Sequence, residues 1–181
     1  MSTAQQRKVK AQVMDADAVR RSLSRIAHEI VERNHGTQGL VVVGVISKGD
    51  ALARRLACKL SDLEGLPVPA GAVDTSGHRD DRRPRLPGRT SQVPDITDRT
   101  VILVDDVIHH GRTARAAMEA MLEFGRPRAI QLAVLVDRGH RQIPVRPDYV
   151  GKNVPTSESE LVEVCLQEVE GVDAVVILER A

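Results

Sequence analysis

The sequence predicts an α/β protein with a central parallel sheet flanked by helices. Three continuous apolar runs, residues 40–46, 101–104 and 130–136, lack the alternation of a strand that faces water, so each is predicted to be a strand buried on both faces. Helical patterns lie between these runs, which favours right-handed βαβ connections. Polar segments follow the runs, and such sheets bind ligands at the carboxyl ends of their strands. We therefore expect one composite site at that edge of the sheet.

Three helices are predicted from local patterns. Asp15 is expected to cap a helix that runs to about Arg33, because the apolar residues between positions 19 and 30 step by four, three and four along one face. A second helix, with a leucine stripe, is predicted to end near position 63. A third, rich in alanine, is predicted for residues 113–124.

The remaining strands are predicted from shorter runs. Residues 1–14 are irregular or strand-like, residues 68–74 favour a strand, and residues 149–151 favour a short one. Residues 161–166 and 174–178 predict a C-terminal β-hairpin.

Residues 75–99 form the longest connection, with three prolines, two glycines and many charges. Structureless connections longer than about 12–15 residues are uncommon in compact domains and are usually functional or disordered. Two interpretations stay open. One is a solvated arm or hairpin, and the other is a flexible arm that covers the site, with Arg79, Asp80 and Asp81 near its hinge.

Composition limits the function classes. At 181 residues the chain is expected to form a single domain. It has 26 basic and 25 acidic residues, one Phe, one Tyr and no Trp, so a nucleic acid partner would need a local basic patch and not base stacking. Cys58 and Cys165 lack metal-like spacing. No signal peptide and no apolar run near the ~20 residues of a membrane span is found, so a cytoplasmic protein is expected.

Two carboxylates, Asp105 and Asp106, directly follow the run at residues 101–104. Neighbours along a strand point to opposite faces, but at a strand end at least one can accept hydrogen bonds from ribose hydroxyls, directly or through hydrated Mg²⁺. Gly111 lets the backbone approach an anion, and Thr113 can cap the next helix, whose amides favour a phosphate. The alternative for the acidic pair is a helix-capping turn with a solvated acid.

A second polar loop, Ser47, Lys48 and Gly49, also leads into a helix. A lysine at that place suits a further phosphate group, such as pyrophosphate, although an ordinary strand-to-helix turn is the alternative. Two anion sites beside a pair that binds ribose hydroxyls describe a phosphoribosyl diphosphate ligand better than a simple nucleotide.

The stretch VILVDDVIHHGRTARAAM resembles the phosphoribosyl-diphosphate signature of type I phosphoribosyltransferases. The flanking segments RRSLSRIAHEIVERNHG, HRDDRRPR and GRPRAIQLAVLVDRGHRQIPVRPDYVGKNVPTSESE resemble the branch of that family that regulates pyrimidine operons and acts on uracil. The resemblance covers nearly the whole chain from about Val9 onward. It implies that uracil and phosphoribosyl diphosphate are converted to UMP and pyrophosphate with Mg²⁺, and that the protein binds pyrimidine-operon mRNA, promoted by UMP or UTP.

The resemblance also implies roles for individual residues. Asp105 and Asp106 would bind the ribose hydroxyls, and Arg79 would close over the leaving group. Mg²⁺ would be held through phosphoribosyl diphosphate, with these two acids as candidate ligands. Pyrimidine recognition falls near residues 136–139. The implied ligand-binding residues are Ser47, Lys48, Gly49, Asp105, Asp106, Val107, His109, His110, Gly111, Arg112, Thr113, Asp137 and Arg138. The implied RNA-binding residues are Ser24, Arg25, His28, Arg33, Ser47, His140, Arg141, Arg146 and Lys152.

The chain departs from the family pattern at several of these positions. His109 and His110 stand where an aromatic residue and a Thr or Ser are usual, and Lys48 stands for an arginine. In the arm, Gly77 and His78 replace Leu and Tyr. Weakened or pH-shifted catalysis is therefore expected, because both loop histidines could titrate near neutrality.

Two alternatives to the bifunctional function stay open at this stage. One is a nucleotide-sensing RNA regulator with negligible catalysis, which the altered loop and arm favour. The other is a purine phosphoribosyltransferase, against which the absence of an Asp near position 109 counts. Sheet edges, the hairpin and the exposed stripe of the first helix suggest a homodimer or a higher homo-oligomer.

Overall fold

The computed structural model describes residues 8–80 and 90–179. These residues form eight strands, four α-helices and a 3₁₀ turn at Leu122–Phe124. The strands are β1 (Lys8–Met14), β2 (Leu40–Val45), β3 (Ala70–Val73), β4 (Thr100–Ile108), β5 (Ala129–Asp137), β6 (Tyr149–Asn153), β7 (Glu160–Cys165) and β8 (Ala174–Glu179). The helices are α1 (Ala16–Asn34), α2 (Lys48–Glu64), α3 (Arg112–Met121) and α4 (Gln167–Glu170).

The central sheet has five strands in the order β3-β2-β4-β5-β6, and every neighbouring pair is parallel. Leu40 pairs with Thr100, which pairs with Ala129 on its other side. All six residues of β2 are buried, as expected for a strand covered on both faces. The fold predicted from the three apolar runs is therefore confirmed.

Two apolar clusters cover the two faces of this sheet. One packs α1 and α2 against residues such as Ile102 and Leu135, and the other packs α3 against residues such as Leu103 and Val134. The first helix begins where predicted, because the Asp15 carboxylate accepts a hydrogen bond from the Ala18 amide at 2.7 Å. The sheet thus has a close-packed apolar layer on each face.

A second sheet, in the order β1-β8-β7, shares no strand with the first and is antiparallel. Its β7 and β8 are the predicted hairpin, which is confirmed. The lead-in segment completes it as β1, whose partner lies at the other end of the chain. The guanidinium of Arg55 on α2 holds the hairpin turn through hydrogen bonds to Glu168 and Asp173 of 2.5–2.8 Å.

The arm predicted at residues 75–99 is shorter than expected on its carboxyl side. Gln92 forms an antiparallel bridge with Ala72, and the side chain of Ile96 is fully buried. A Cβ on Gly71 would lie 2.3 Å from the Gln92 carbonyl oxygen, so only glycine allows this contact. Residues 81–89, and with them Asp81, lie outside the described residues, and the flexible cover stays a prediction. None of the helices that the structure describes is long and apolar enough to cross a membrane.

Candidate active site

A cavity of about 410 Å³ opens at the carboxyl ends of β2 and β4, next to the first turns of α2 and α3. This is the edge of the sheet where the sequence predicted a composite site. Most of the predicted ligand-binding residues come together here. The lining residues are Val45, Ile46, Ser47, Lys48, Arg79, Asp105, Asp106, Val107, Ile108, His109, His110, Gly111, Arg112, Thr113 and Ala114.

Asp105 and Asp106 lie within β4 and not after it, because pairing with β5 continues to Ile108. They were expected to point to opposite faces, yet both residues line this one cavity. The pairing of β4 with β5 keeps one register from Thr100 to Ile108. Both acids border the cavity because it opens at the end of this strand.

The Asp105 carboxyl is buried, with 8% of its surface exposed, and accepts a hydrogen bond from the Asp106 amide at 2.9 Å. Desolvation raises its pKa well above the ordinary value, and the neighbouring Asp106 carboxylate adds to the rise. The positive charge of Arg79 opposes it. This carboxyl therefore lies where a hydroxyl donor or a cation would stabilise its charged form.

The loop before α3 presents backbone amides. Gly111 has a left-handed conformation (φ 91°) and is the N-cap residue of α3, without a side-chain hydrogen bond at the cap. The expectation that Thr113 caps this helix is therefore wrong, because Thr113 lies inside the first turn. The His110 carbonyl accepts hydrogen bonds from the Gln142 and Ile143 amides at 3.0 and 3.2 Å. The next segment of chain thus holds this loop in place.

The Ser47–Gly49 segment is the start of α2, whose first residue is Lys48. The Ile46–Ser47 peptide is cis. A Cβ on Gly49 would lie 2.5 Å from the Val104 carbonyl oxygen, so this glycine lets α2 begin in contact with β4. The Lys48 ammonium is directed to the second sheet, where it contacts the Val164 carbonyl and pairs with Glu170 at 2.9 Å.

His109 and His110 stack with ring centroids 3.7 Å apart, and His140 meets His109 edge-on at 5.7 Å. Desolvation lowers the pKa of His109 to about 4, and the charges of Arg138 and of the neighbouring histidines contribute. The expectation that His109 titrates near neutrality is therefore wrong. Its Nε2 is buried and has no hydrogen-bond partner among the residues that the structure describes.

Asp137 and Arg138, predicted near the pyrimidine, lie beyond the described lining of the cavity. The Arg138 side chain is buried, and its guanidinium donates to the Thr156 hydroxyl at 3.0 Å and to the Ser157 carbonyl at 3.2 Å. Desolvation alone would raise the pKa of Asp137, but hydrogen bonds from Arg141 and the Gly139 amide lower it. This region therefore holds the loops around the histidines in position.

The described end of the arm is attached to α3. Arg112 pairs with Asp80, and the Arg115 guanidinium donates to the His78 carbonyl at 3.2 Å. The His78 ring lies 3.0 Å from the carboxylate of Glu123. Arg79 lines the cavity beside these contacts.

Among the predicted RNA-binding residues of α1, Arg25 and Arg33 contact the β6 region, whereas Ser24 and His28 lie on the side of α2. The Arg25 guanidinium donates to the Val150 and Gly151 carbonyls at 3.0 and 2.7 Å, and Arg33 pairs with Asp148 at 2.6 Å. Ser24 accepts a hydrogen bond from the Lys59 ammonium, His28 contacts the Ser24 carbonyl, and Lys152 donates to the Val13 carbonyl.

The other predicted RNA-binding residues lie on the loop after β5. Arg141 is half-buried and donates to the Asp137 carboxylate at 2.5 Å and to the Val145 and His109 carbonyls at 2.9 Å. His140 contacts the Thr156 carbonyl, and Arg146 is exposed. Arg141 therefore supports the candidate site directly, whereas Arg146 is available at the surface.

Sequence reasoning missed the residues that support the site. The amides of Gln142 and Ile143 hold His110, while Thr156 and Ser157 hold Arg138. Each contact joins segments that are far apart in the sequence, and backbone amides leave no residue-type signal.

The Phosphoribosyl transferase domain model matches residues 11–168. Because this match spans most of the chain, the chain belongs to the phosphoribosyltransferase family.

Curated relatives narrow this assignment. The bifunctional protein PyrR of Deinococcus radiodurans is 54% identical over 176 residues, which cover 94% of this chain and 95% of the relative. PyrR of Thermus thermophilus is 52% identical over 177 residues, covering 94% and 97%. Within the family, the chain is thus placed among the PyrR proteins.

Comparison with solved structures supports the fold and carries no further argument, because the sequence identities are below 20%. A hypoxanthine-guanine phosphoribosyltransferase from Bacillus anthracis superposes with a TM-score of 0.70 at 19% identity, covering 96% of this chain and 99% of that one. A hypoxanthine phosphoribosyltransferase from Trypanosoma cruzi gives 0.71 at 18% identity, covering 96% and 98%.

Proposed function

We propose that this protein is a uracil phosphoribosyltransferase that also regulates expression of pyrimidine biosynthesis genes. As an enzyme it converts uracil and phosphoribosyl diphosphate to UMP and pyrophosphate. As a regulator it binds pyrimidine-operon mRNA in response to UMP or UTP. The observation that carries the proposal is the 54% identity, over 94% of the chain, to a relative named bifunctional PyrR. Neither alternative from the sequence is favoured by these relatives.

The cavity supports the enzymatic half of the proposal. Asp105 and Asp106 lie on one wall, beside the loop whose Gly111 opens the way to the amides of α3. A ribose phosphate placed here would give its hydroxyls to the acids and its 5′-phosphate to the amides, which helix N-termini favour. The start of α2, with Ser47 and Lys48, also lines the cavity and suits the diphosphate.

The reaction proposed is displacement of pyrophosphate at ribose C1 through an oxocarbenium-like transition state. The protein's part is to hold the 5′-phosphate and the ribose still while charge develops. Arg79, which lines the cavity, would stabilise the leaving group. Replacing Arg79 with Ala is then expected to lower turnover much more than UMP affinity, and equal effects on both would rule out this role.

Magnesium fits the acidic pair. Desolvation and the neighbouring Asp106 carboxylate raise the pKa of Asp105, and a cation next to it would stabilise the charged form against both. The part of the chain that the structure describes contains no group of three or more His, Cys, Asp or Glu able to hold a metal ion, so the diphosphate would have to supply further oxygen ligands. Once bound, Mg²⁺ would neutralise charge on the leaving pyrophosphate.

The RNA-binding half of the proposal rests on the basic residues along α1 and after β5. Arg146 is exposed, while Arg25 and Arg33 already bind the β6 region with part of their donors. A guanidinium has five N–H donors, so each arginine could also contact phosphate. We propose that this surface operates in a homo-oligomer, which sedimentation of the purified protein would test.

Two assays on one preparation test the proposal. UMP formation from uracil and phosphoribosyl diphosphate with Mg²⁺ is expected, with little product from hypoxanthine or guanine. A gel shift with pyrimidine-leader RNA is expected to strengthen when UMP is added, and an unrelated stem-loop is the control. A preparation that binds RNA without forming UMP would favour the pure regulator, and preference for a purine base would reject uracil as the substrate.

A further inference from the structure

Lys48 lines the cavity at the end proposed for the diphosphate, but its ammonium group is bound to residues of β7 and α4. Its ammonium contacts the Val164 carbonyl on β7 and pairs with the Glu170 carboxylate on α4 at 2.9 Å. Both side chains are partly buried, with 19% of Lys48 and 30% of Glu170 exposed. The side chain that suits a diphosphate is therefore held by an internal carboxylate.

Glu170 is itself held firmly in this position. Its second carboxylate oxygen accepts a hydrogen bond from the Leu166 amide at 2.8 Å. Desolvation tends to raise the pKa of Glu170, but the hydrogen bonds from Leu166 and Lys48 outweigh it and lower the pKa. The carboxylate is therefore charged at neutral pH, and it is an effective competitor for an ammonium group.

The hairpin turn does not depend on Lys48 for its attachment. Arg55 binds the Glu168 and Asp173 carboxylates with both sides of its guanidinium, at 2.5–2.8 Å. Lys48 can therefore leave Glu170 while the turn stays docked on α2. Such an arrangement allows exchange of partners without unfolding of the second sheet.

We propose that Glu170 is a specificity-determining residue that competes with the diphosphate of the ligand for Lys48. Ligands with a diphosphate on ribose C1 must displace Glu170 to gain the ammonium, whereas UMP, whose only phosphate belongs at Gly111, need not. The competition therefore weakens phosphoribosyl diphosphate selectively and favours occupancy by the nucleotide. This inference rests on the proposed function, because it assumes that both ligands use this cavity.

The test is titration calorimetry of the full chain with phosphoribosyl diphosphate and with UMP, each with Mg²⁺. Glu170→Gln keeps the shape of the side chain and removes the charge. Glu168→Gln is the matched control, since it lies on the same turn, pairs with Arg55 and leaves Asp173 to hold that arginine. For Glu170→Gln we expect the Kd for phosphoribosyl diphosphate to fall about threefold, the size of one partly exposed ion pair, with no change for UMP.

Several outcomes overturn the inference. An unchanged or raised Kd for phosphoribosyl diphosphate in Glu170→Gln would show that Glu170 does not compete. Equal shifts for both ligands, or the same shift in Glu168→Gln, would show general loosening of the hairpin. If the wild-type protein binds neither ligand, the proposed function fails first and this inference fails with it.

A measurement on the wild-type protein avoids any dependence on how the variant folds. Displacement of Glu170 from Lys48 should loosen its bond to the Leu166 amide. Hydrogen exchange of that amide is therefore expected to accelerate several-fold with phosphoribosyl diphosphate and to stay unchanged with UMP. Equal protection with both ligands would contradict the competition.

Discussion

The two segments that face the phosphates of the proposed ligand are built differently. The loop at Gly111 is held by backbone bonds, since the His110 carbonyl accepts the Gln142 and Ile143 amides. The segment at Gly49 is held by close packing against β4, and its lysine binds the second sheet. The Gly111 loop therefore offers backbone amides in fixed positions. The Gly49 segment depends on the side chain of Lys48, which is already paired with Glu170. Phosphate binding at the two ends should therefore respond differently to mutation.

The largest expected effect is a difference in stability between alanine variants of Gly49 and Gly111. In Gly49→Ala the new Cβ would lie 2.5 Å from the Val104 carbonyl, so α2 or β4 must shift, and we expect a loss of about 3 kcal/mol in the free energy of unfolding. In Gly111→Ala the nearest atoms lie at 3.4 Å, and the cost comes from the positive φ, about 1 kcal/mol. Urea unfolding of both variants measures this. A larger loss at Gly111 would reverse the comparison.

Asp105 is expected to favour ligand binding while lowering the free energy of unfolding. Because the folded-state pKa of Asp105 is raised, its ionisation destabilises the fold as the pH rises above the ordinary value near 4. Asp105→Asn is therefore expected to gain about 1 kcal/mol at pH 7 and to lose most affinity for phosphoribosyl diphosphate. Calorimetric unfolding and ligand titration check both parts. The exposed Asp17→Asn is the control, and a destabilised Asp105→Asn would contradict this explanation.

His109 should make the Gly111 loop sensitive to acid. Its folded-state pKa of about 4 lies below the ordinary value, so the unfolded chain binds more protons between pH 6.5 and 4, and stability falls as the pH is lowered through this range. Allowing for partial exposure, we expect a loss of about 1–2 kcal/mol that His109→Phe lacks. Melting temperatures at pH 7 and pH 5 measure it. Parallel slopes in the two proteins would refute it.

The smallest effect concerns Thr113. Because the structure places Gly111 at the cap, Thr113→Val is expected to change stability by less than about 0.5 kcal/mol while UMP affinity falls. Asp15→Ala, at a helix that does have a side-chain cap, is the comparison and should lose about 1 kcal/mol. A Thr113→Val loss as large as that of Asp15→Ala would restore Thr113 as a capping residue.

Local patterns were enough for much of the molecule. The continuous run in β2 and the stepped stripe of α1 each identify an element by its own residues, and Asp105 directly follows the apolar residues that identify β4. Contacts between segments that are distant in the sequence could not be predicted from local patterns. The pairing of β1 with β8, the direction of Lys48 toward Glu170, and the desolvation of His109 all depend on where another part of the chain lies.

The shared cavity lining of Asp105 and Asp106 was missed for a different reason. A period-2 pattern describes where neighbouring side chains point along a strand, and it does not predict a cavity that both border at the end of that strand. The sequence could therefore place Asp105 and Asp106 at the strand end but not on one wall of the cavity.

The contact between Arg25 and β6 has a practical consequence. β6 is the last strand of the sheet and has a strand neighbour on one side only, and the guanidinium of Arg25 satisfies two of its carbonyl groups. An unsatisfied strand edge invites pairing with another chain. A substitution at Arg25 that is made to weaken RNA binding would thus also leave the edge of β6 unpaired. Aggregation of that variant could then be mistaken for a loss of RNA affinity. Arg146, which is exposed, is the cleaner position from which to map the RNA surface.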